Sequence, residues 1–502
     1  MASRRPSILL ITTDQQRADT IASLGNPYIQ TPALDSLVAE GTAFTGAYCP
    51  SPVCMASRAS LLLGQWPHQT GCVSNNPMPQ DRVSLMDILR DAGYQTHGVG
   101  KMHFGPDSRK LWGFESRDYS EEGGMHEGDD FCAHLVRNGF GHLADPNGVR
   151  SEWYYVPQPS QLPERLHHSR WIADRSLEFL ERRDRDRPFM MWTSFVKPHP
   201  PFESPVPWNR LYKPLEMSFP HLPPGYETLL TFWNRLQNRY KYRDQGADWN
   251  LIRLTRAAYY AAISFVDYNL GRILAHLRET GEIDNTLIVF TSDHGELLGD
   301  YGSWGKRTML DSAARVPLLV RYPERFERGG RCFEPASLVD VLPTCLRAAG
   351  IEPGSDRVGV DLAELAAGNA DREGVVCQYH EEALGLYALV SRRYKYVHSA
   401  PDGREWLFRR EEGALEERSL AGNAAYDGVL TEMRSRLIAW FKRDGYEAPL
   451  DGEGWKVSPR AEVPADPDAW QLFQEGLPVE GMFPEGYAPR CNPDGGMPVG
   501  GV

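Results

Sequence analysis

The chain reads Ser-Ile-Leu-Leu-Ile-Thr-Thr-Asp at residues 7–14, and this stretch decides the fold class. An unbroken apolar run that ends in an acidic residue is typical of a parallel strand buried on both faces of a sheet. Similar strand-like runs follow at residues 96–99, 189–195, 286–291 and 316–322. Helical patterns separate them, most clearly at residues 171–180 and 252–277. The alternation predicts an α/β fold with a doubly wound, mostly parallel sheet and helices on both of its faces.

Two of the helices can be delimited from their end signals. Pro32 is a typical first residue of a helix, and Gly41 ends the same segment. Ser84 and Asp87 have the spacing of a capping box, and Gly93 is the expected stop of that second helix. Helices between strand-like runs are what a doubly wound sheet requires.

The character of the chain changes along its length. Residues 105–168 and 200–250 are rich in Gly, Pro, Trp and Tyr, which predicts long loops or insertions over one edge of the sheet. Further strand-like and helical runs lie at residues 375–379, 387–391, 395–398 and 426–441. They predict a smaller C-terminal α/β subdomain with an antiparallel sheet. We expect a main domain over residues 1–371, this subdomain over residues 372–447, and an arm over residues 448–502 that packs on the core or on a neighbouring subunit.

Composition excludes several functional classes. The 502 residues include 54 Lys and Arg against 67 Asp and Glu, a net charge of −13, which disfavours a nucleic-acid partner. No apolar run has the length of a membrane span, so no membrane partner is expected. The short apolar run at the N-terminus lacks a cleavage site and is interpreted as a strand, which predicts a cytoplasmic protein. The eight cysteines have no paired spacing, as in reduced cytosolic proteins.

Two acidic residues stand where predicted strands end. Asp14 and Asp293 each follow an apolar run, and the carboxyl ends of strands in a doubly wound sheet are where ligands bind. Two carboxylates that converge there suit a divalent cation such as Ca²⁺ or Mg²⁺. His294 adds an imidazole nitrogen, which shifts the preference toward Mn²⁺.

A cysteine opens another informative stretch. Residues 54–64 read Cys-Met-Ala-Ser-Arg-Ala-Ser-Leu-Leu-Leu-Gly. Taken alone, Cys54 could be an ordinary buried thiol. It could also be a thiolate nucleophile, which would require a neighbouring base where the local sequence supplies only Arg58.

Several short motifs, in order, resemble the formylglycine-dependent sulfatases of the alkaline phosphatase superfamily over residues 7 to about 420. They are Thr-Asp-Gln-Gln at 13–16, Cys-x-Ala-x-Arg at 54–58, Gly-Lys-Met-His at 100–103, Lys-Pro-His-Pro-Pro-Phe at 197–202, Ser-Asp-His-Gly-Glu at 292–296 and Lys306 in Trp-Gly-Lys-Arg. In that family a formylglycine-generating enzyme oxidises the cysteine to an aldehyde, whose hydrate is the nucleophile. This chain departs from the common pattern with Ala56 for proline and Leu63 for threonine.

The resemblance also implies a set of site residues. The metal ligands would be Asp14, Gln15, Cys54, Asp293 and His294. Many sulfatases have Asp and Asn where this chain has Gln15 and His294. This variant resembles the phosphonate monoester hydrolase and choline sulfatase branches of the family, which leaves both Ca²⁺ and Mn²⁺ open as the metal. The catalytic residues would be Cys54, Arg58, Lys101, His103, His199 and Lys306. Of these, Lys101, His199 and Lys306 would also bind substrate, together with Asn75.

The resemblance implies a sulfuric ester hydrolase of the arylsulfatase type, acting on a small-molecule sulfate monoester. Lys101 and His103 favour sulfate esters, because phosphonate monoester hydrolases tend to have hydroxyl side chains at these positions. The alternatives are a phosphonate monoester hydrolase or phosphodiesterase with the same site, and a silent anion-binding homologue with Cys54 unmodified. Choline, aryl and sugar sulfates are all open as substrates, and we expect a homo-oligomer.

Overall fold

The structure is a computed structural model that describes residues 5–150, 154–241 and 248–463. Its strands, in chain order, are β1 (Ser7–Asp14), β2 (Thr42–Phe44), β3 (Ala47–Tyr48), β4 (Gln95–Gly100), β5 (Ser116–Tyr119), β6 (Gln158–Pro159), β7 (Phe189–Pro198), β8 (Glu203–Ser204), β9 (Thr286–Ser292), β10 (Leu318–Arg321), β11 (Gly330–Cys332), β12 (Ala336–Ser337), β13 (Val375–Tyr379), β14 (Leu386–Val390), β15 (Tyr394–Ser399), β16 (Arg404–Arg409), β17 (Leu450–Asp451) and β18 (Gly454–Trp455).

The α-helices connect these strands and cover the main sheet. In chain order they are α1 (Pro32–Glu40), α2 (Cys54–Leu63), α3 (Pro67–Thr70), α4 (Leu85–Asp91), α5 (Asp130–Arg137), α6 (His168–Arg182), α7 (Phe232–Lys241), α8 (Trp249–Glu279), α9 (Asp311–Ala314), α10 (Val341–Ala348), α11 (Leu362–Ala366) and α12 (Asp427–Arg443).

The main sheet has eight strands in the order β11-β2-β10-β9-β1-β7-β4-β5. The five strands from β9 to β5 are parallel to one another, with β1 paired to β7 on one side and β9 on the other. β10 reverses direction and is antiparallel to both β9 and β2. The predicted α/β class with a mostly parallel sheet is confirmed. β2 and the edge strands β5 and β11 were not predicted, because their short sequences carry no clear periodicity.

Helices cover both faces of the sheet, as the alternation of strands and helices predicted. Ile8 and Leu10 of β1 pack in one hydrophobic cluster with residues of α2, α4 and α10. Leu9 and Ile11 face the other way and pack with residues of α1, α6 and α8. Successive side chains of a strand point to opposite faces, so an unbroken apolar run is needed when both faces are covered.

The two predicted helix starts differ in how they are capped. In α4 the Ser84 hydroxyl accepts from the Asp87 N–H at 3.0 Å and an Asp87 oxygen accepts from the Ser84 N–H at 3.1 Å, so the capping box is confirmed. α1 begins at Pro32 as predicted, but Asp267 of α8 supplies its cap. The carboxylate of Asp267 accepts from the Ala33 N–H at 3.0 Å and the Leu34 N–H at 2.8 Å.

The C-terminal region contains a separate antiparallel sheet, as predicted, with the order β13-β14-β15-β16. The fourth strand, β16, was missed, whereas α12 was predicted and packs against β14 and β15. The sheet is not isolated from the rest of the chain, since the Trp66 and Trp440 rings meet edge to face at 5.8 Å between centroids. The proposed boundaries at 371 and 447 therefore stay predictions. Of the predicted arm, residues 464–502 lie outside the described residues.

The predicted insertions contain only short elements where they are described. Residues 105–150 and 154–168 include β5, α5 and β6, and residues 200–241 include β8 and α7. Within the described ranges no helix is both long and apolar enough to cross a membrane. The cysteines in these ranges are all buried and unpaired.

Candidate active site

The carboxyl ends of two neighbouring strands form the centre of the site. Asp14 is the last residue of β1, and Asp293 directly follows β9, which is the parallel neighbour of β1. The Gln15 N–H donates to Oδ1 of Asp293 at 3.0 Å and ties the two strand ends together. The predicted convergence of the two carboxylates is therefore seen in the fold, and both residues are fully buried.

Cys54 also lies beside the carboxylates of Asp14 and Asp293. It is the first residue of α2, and its Sγ lies 3.3 Å from Nε2 of His294 and 3.8 Å from Oδ1 of Asp14. The donor atoms of Asp14, Cys54, Asp293 and His294 all lie within 4.8 Å of one another.

This donor set fits a divalent cation. Two carboxylates and an imidazole are a ligand set for Ca²⁺ or Mn²⁺. Oε1 of Gln15 is buried and has no hydrogen-bond partner among the described residues, so a further oxygen is available beside Asp293. Burial and the neighbouring Asp14 raise the pKa of Asp293, and a bound cation would offset that repulsion. Four of the five ligands predicted from the sequence therefore lie in one cluster, and the fifth, Gln15, is joined to it through its backbone N–H.

Arg58 lies one helical turn after Cys54 and binds both carboxylates. Its Nε is 2.9 Å from Asp293 and its Nη2 is 3.3 Å from Asp14. Its Nη1 also donates to the Lys101 carbonyl oxygen at 2.8 Å and to the Ser194 hydroxyl at 2.9 Å. Arg58 is 1% exposed, and a charge buried in this way needs partners of opposite charge. The two carboxylates supply them. Arg58 thus connects α2 to the carboxyl ends of β1, β4 and β9 and to the middle of β7.

Two lysines surround the Cys54 sulfur with positive charge. Lys306 Nζ lies 2.8 Å from Sγ of Cys54 and 3.1 Å from Nε2 of His294. Lys101 Nζ lies 2.6 Å from Oδ2 of Asp14. Burial alone would raise the pKa of the Cys54 thiol, but Lys306 and Lys101 lower it well below its usual range. The position of residue 54 therefore stabilises negative charge.

His103 follows Lys101 with an unusual backbone. Its φ of 56° lies in the left-handed region, which is uncommon for a residue other than glycine. The Glu121 side chain accepts from the His103 N–H at 2.8 Å and holds this conformation. Nδ1 of His103 is buried and has no hydrogen-bond partner among the described residues. Burial lowers the pKa of His103, but its hydrogen bond with Cys54 raises the value above the ordinary one.

His199 directly follows β7 at the same edge of the sheet. Its Nδ1 lies 2.7 Å from the carbonyl oxygen of Pro200, and its Nε2 lies 3.0 Å from Oε2 of Glu122. The Tyr154 hydroxyl is 3.4 Å from the same Nε2. The structure thus brings His199 to the site, as the sequence predicted, with a carboxylate partner that the sequence did not predict.

Three glutamates of the site were missed. Glu122 lies 2.6 Å from Lys101 Nζ as well as against His199, and Glu121 holds the backbone of His103. Both follow β5 in a segment with no recognisable pattern. Glu296 accepts from the side-chain nitrogen of Gln15 and from the backbone of Leu298. Its place in the Ser-Asp-His-Gly-Glu motif was the signal that could have identified it.

Asn75 lies at the rim of the site. It is exposed, and its Oδ1 accepts weakly from the N–H of Met55 at 3.5 Å. The side chain is therefore next to α2 but does not reach the buried cluster. Its suggested contact with sulfate stays a prediction.

Comparison with known proteins agrees with this geometry. Residues 6–351 match the family model described as Sulfatase, and residues 299–443 match the model described as N-sulphoglucosamine sulphohydrolase, C-terminal. The arylsulfatase of Clostridium perfringens (strain 13 / Type A) is 30% identical over 472 residues, which cover 86% of this chain and 94% of that protein. The choline-sulfatase of Rhizobium meliloti (strain 1021) is 30% identical over 482 residues, with 90% of each chain covered.

Solved structures show the same fold. The phosphonate monoester hydrolase of Agrobacterium radiobacter superposes with a TM-score of 0.76 at 24% identity, covering 90% of this chain and 100% of that chain. The Sulfatase model spans well over half of the sequence, and the relatives at 30% identity match over most of their length. The chain therefore belongs to the sulfatase family and is a hydrolase of sulfuric esters.

Proposed function

We propose that the protein hydrolyses small-molecule sulfate monoesters, with formylglycine at position 54 as the nucleophile and one Ca²⁺ or Mn²⁺ ion. One observation carries the proposal: Sγ of Cys54 lies among Lys306, His294 and Asp14 in the buried cluster. A formylglycine-generating enzyme, with an external oxidant such as dioxygen, would convert the thiol to the aldehyde. The hydrate of that aldehyde supplies one hydroxyl to attack sulfur and a second whose deprotonation releases sulfate.

The metal would be held by Asp14, Gln15, Asp293, His294 and residue 54. Its chemistry would be to neutralise negative charge on the sulfate oxygens and favour the ionised nucleophile. Arg58 keeps the two carboxylates in place through its contacts with both. This arrangement supports a site whose main contribution is preorganised charge.

The remaining side chains of the site would bind the sulfate group or transfer protons. Lys306 and Lys101 lie on either side of the cluster and would bind the sulfate oxygens. His199 would protonate the departing alcohol oxygen as the bond from sulfur to that oxygen breaks. His103, whose side chain hydrogen-bonds Cys54, would take the proton from the second hydroxyl.

Sulfate rather than phosphonate specificity rests on Lys101 and His103. His103 can drive release of sulfate from residue 54 by taking up a proton, a step that a hydroxyl side chain would not assist. The Cys54–His103 contact supports this assignment. Turnover of phosphonate monoesters and phosphodiesters at a lower rate is expected, because the same charges stabilise any tetrahedral oxyanion.

Two measurements test the proposal. Peptide mass spectrometry of active protein should show residue 54 with the mass of formylglycine, and Cys54→Ala should nearly abolish turnover. Fully active protein with only free cysteine at position 54 would refute the nucleophile. Comparison of kcat/KM for sulfate monoesters and phosphonate monoesters tests the substrate class, and a wide preference for phosphonates would refute it while leaving the site intact.

A further inference from the structure

The strongest unassigned feature of the site is the carboxylate of Glu122. It belongs to the segment between β5 and α5, and its side chain is 20% exposed. Its Oε2 lies 3.0 Å from Nε2 of His199, 2.6 Å from Nζ of Lys101 and 4.0 Å from Nη2 of Arg150. Burial would raise the pKa of Glu122, but His199 and Lys101 lower it well below the usual range. The carboxylate is therefore ionised and acts only as an acceptor.

The surroundings of His199 determine where its protons lie. Nδ1 faces the carbonyl oxygen of Pro200 at 2.7 Å, and Nε2 faces the ionised Glu122. Neither partner can donate, whereas a neutral imidazole has a single N–H and would turn one lone pair toward an acceptor. Protonation satisfies both contacts, so Glu122 favours the imidazolium against the burial that lowers the pKa of His199. The Tyr154 hydroxyl at 3.4 Å is the weaker contact because of its length.

We propose that Glu122 is the positioning residue that increases the protonated fraction of His199, accepts the hydrogen bond from its Nε2–H in the free enzyme and then yields that hydrogen bond to the leaving oxygen of the ester. The inference rests on the proposed function, in which His199 is the general acid. As the bond from sulfur to the leaving oxygen breaks, its electron pair stays on that oxygen, which takes the Nε2 proton. The neutral imidazole regains a proton from solvent before the next turnover, again held by Glu122.

The charged groups around His199 act on its protonation in opposite directions. The titratable and charged groups that face it are Glu122, Tyr154, Lys101, Asp14 and Lys306, with Arg150 behind Glu122 and Tyr154. Burial is the main cause that lowers the pKa of His199 to about 4, and Lys101 and Lys306 lower it as well, whereas Glu122 and, less strongly, Asp14 raise it. Removing the Glu122 charge would therefore leave mainly groups that expel the proton.

The adjacent Glu121 provides a matched control. It carries the same charge and lies in the same segment, but it contacts the backbone of His103 and not His199. E121Q therefore removes an equal charge near the site and tests for a loss that is merely structural.

The experiment measures kcat/KM against pH for wild type, E122Q and E121Q with para-nitrophenyl sulfate and with a primary alkyl sulfate. E122Q should move the alkaline limb to lower pH by about one to three units, the usual effect of an opposite charge at this range. Its loss on the alkyl sulfate should exceed that on the aryl sulfate by about tenfold or more, because the alkoxide needs the proton. E121Q should leave the alkaline limb in place and reduce both substrates equally.

An unchanged alkaline limb in folded E122Q, or equal losses on the two substrates, would overturn the inference. Should E122Q not fold, E122D against E122N makes the same comparison with a shorter side chain. If the wild type prefers phosphonate esters, the experiment is repeated with aryl and alkyl phosphonates, and the shift of the alkaline limb again tests the role of Glu122. The proposed substrate class can therefore be wrong while the role of Glu122 is upheld. A wild type that hydrolyses neither class refutes both.

Discussion

Nζ of Lys306 donates to Sγ of Cys54 over 2.8 Å, although residues 54 and 306 come from opposite ends of the catalytic region. The same ammonium is 3.1 Å from His294, so it lies between the nucleophile position and a metal-ligand position. A positive charge held there before substrate arrives needs no reorganisation when negative charge develops.

Lys306→Met should therefore lower kcat by about 100-fold or more, since it keeps the length of the side chain and removes its charge. The measurement is steady-state turnover of para-nitrophenyl sulfate. Lys213→Met is the control, because the Lys213 side chain is 79% exposed and its ion pair with Glu216 lies outside the cluster around Cys54. A folded Lys306→Met protein with kcat close to that of wild type would contradict the assignment.

Chelation should inactivate the enzyme and lower its Tm, and Ca²⁺ or Mn²⁺ should restore both. A cation that binds only the folded state stabilises it by RT ln(1 + c/Kd), where c is the concentration of the free ion, so Tm rises with c. Asp293→Ala should lose both activity and the metal-dependent rise in Tm. Asp340→Ala is the control: Asp340 is equally buried but pairs with Arg372, so the metal-dependent rise should remain. Persistence of that rise in Asp293→Ala would mean that the ion binds elsewhere.

His199→Ala should slow esters with poor leaving groups most. An alkyl sulfate releases a basic alkoxide that needs a proton, whereas para-nitrophenolate leaves with little help. The ratio of the two kcat/KM values should therefore rise by about 100-fold in favour of the aryl ester. Equal losses would indicate that His199 binds the sulfate group and is not the acid.

Acid stability should depend on His398, which is far from the site in sequence. Its ring stacks on Trp455 at 4.3 Å between centroids, and burial lowers its pKa from 6.5 to about 4. The unfolded chain therefore takes up this proton at higher pH than the folded one. The stabilisation is fully present above about pH 6.5 and is lost as the pH falls toward 4.

His398→Phe retains the aromatic stack and removes the titration. Between pH 7 and pH 5 the free energy of unfolding of wild type should fall by about 2 kcal/mol more than that of the variant. Urea unfolding at the two pH values measures this difference. Identical changes in wild type and His398→Phe would show that His398 does not contribute to acid sensitivity.

Much of the fold could be predicted because its signals are local. The apolar run of β1 and the capping box of α4 depend on side chains next to one another in the chain, so they are legible without tertiary contacts. The reversed direction of β10 and the capping of α1 by Asp267 could not be predicted from the sequence. Both are decided by which elements become neighbours after the chain has packed.

The sequence by itself identified the candidate residues of the site. Asp14 and Asp293 end buried strands, and parallel strands bring their carboxyl ends to one edge whatever the loops do. Cys54 and Lys306 are recognisable by the short motifs in which they stand.

Tertiary structure alone decided how those residues are partnered. Glu122 has no sequence pattern, and only the path of the chain between β5 and α5 brings it to Lys101 and His199. Arg58 likewise acquires both carboxylates because α2 begins against the ends of β1 and β9. These contacts join residues that are far apart in the sequence. The packing of the whole domain sets the path of the connecting segments, and that path decides which residues meet.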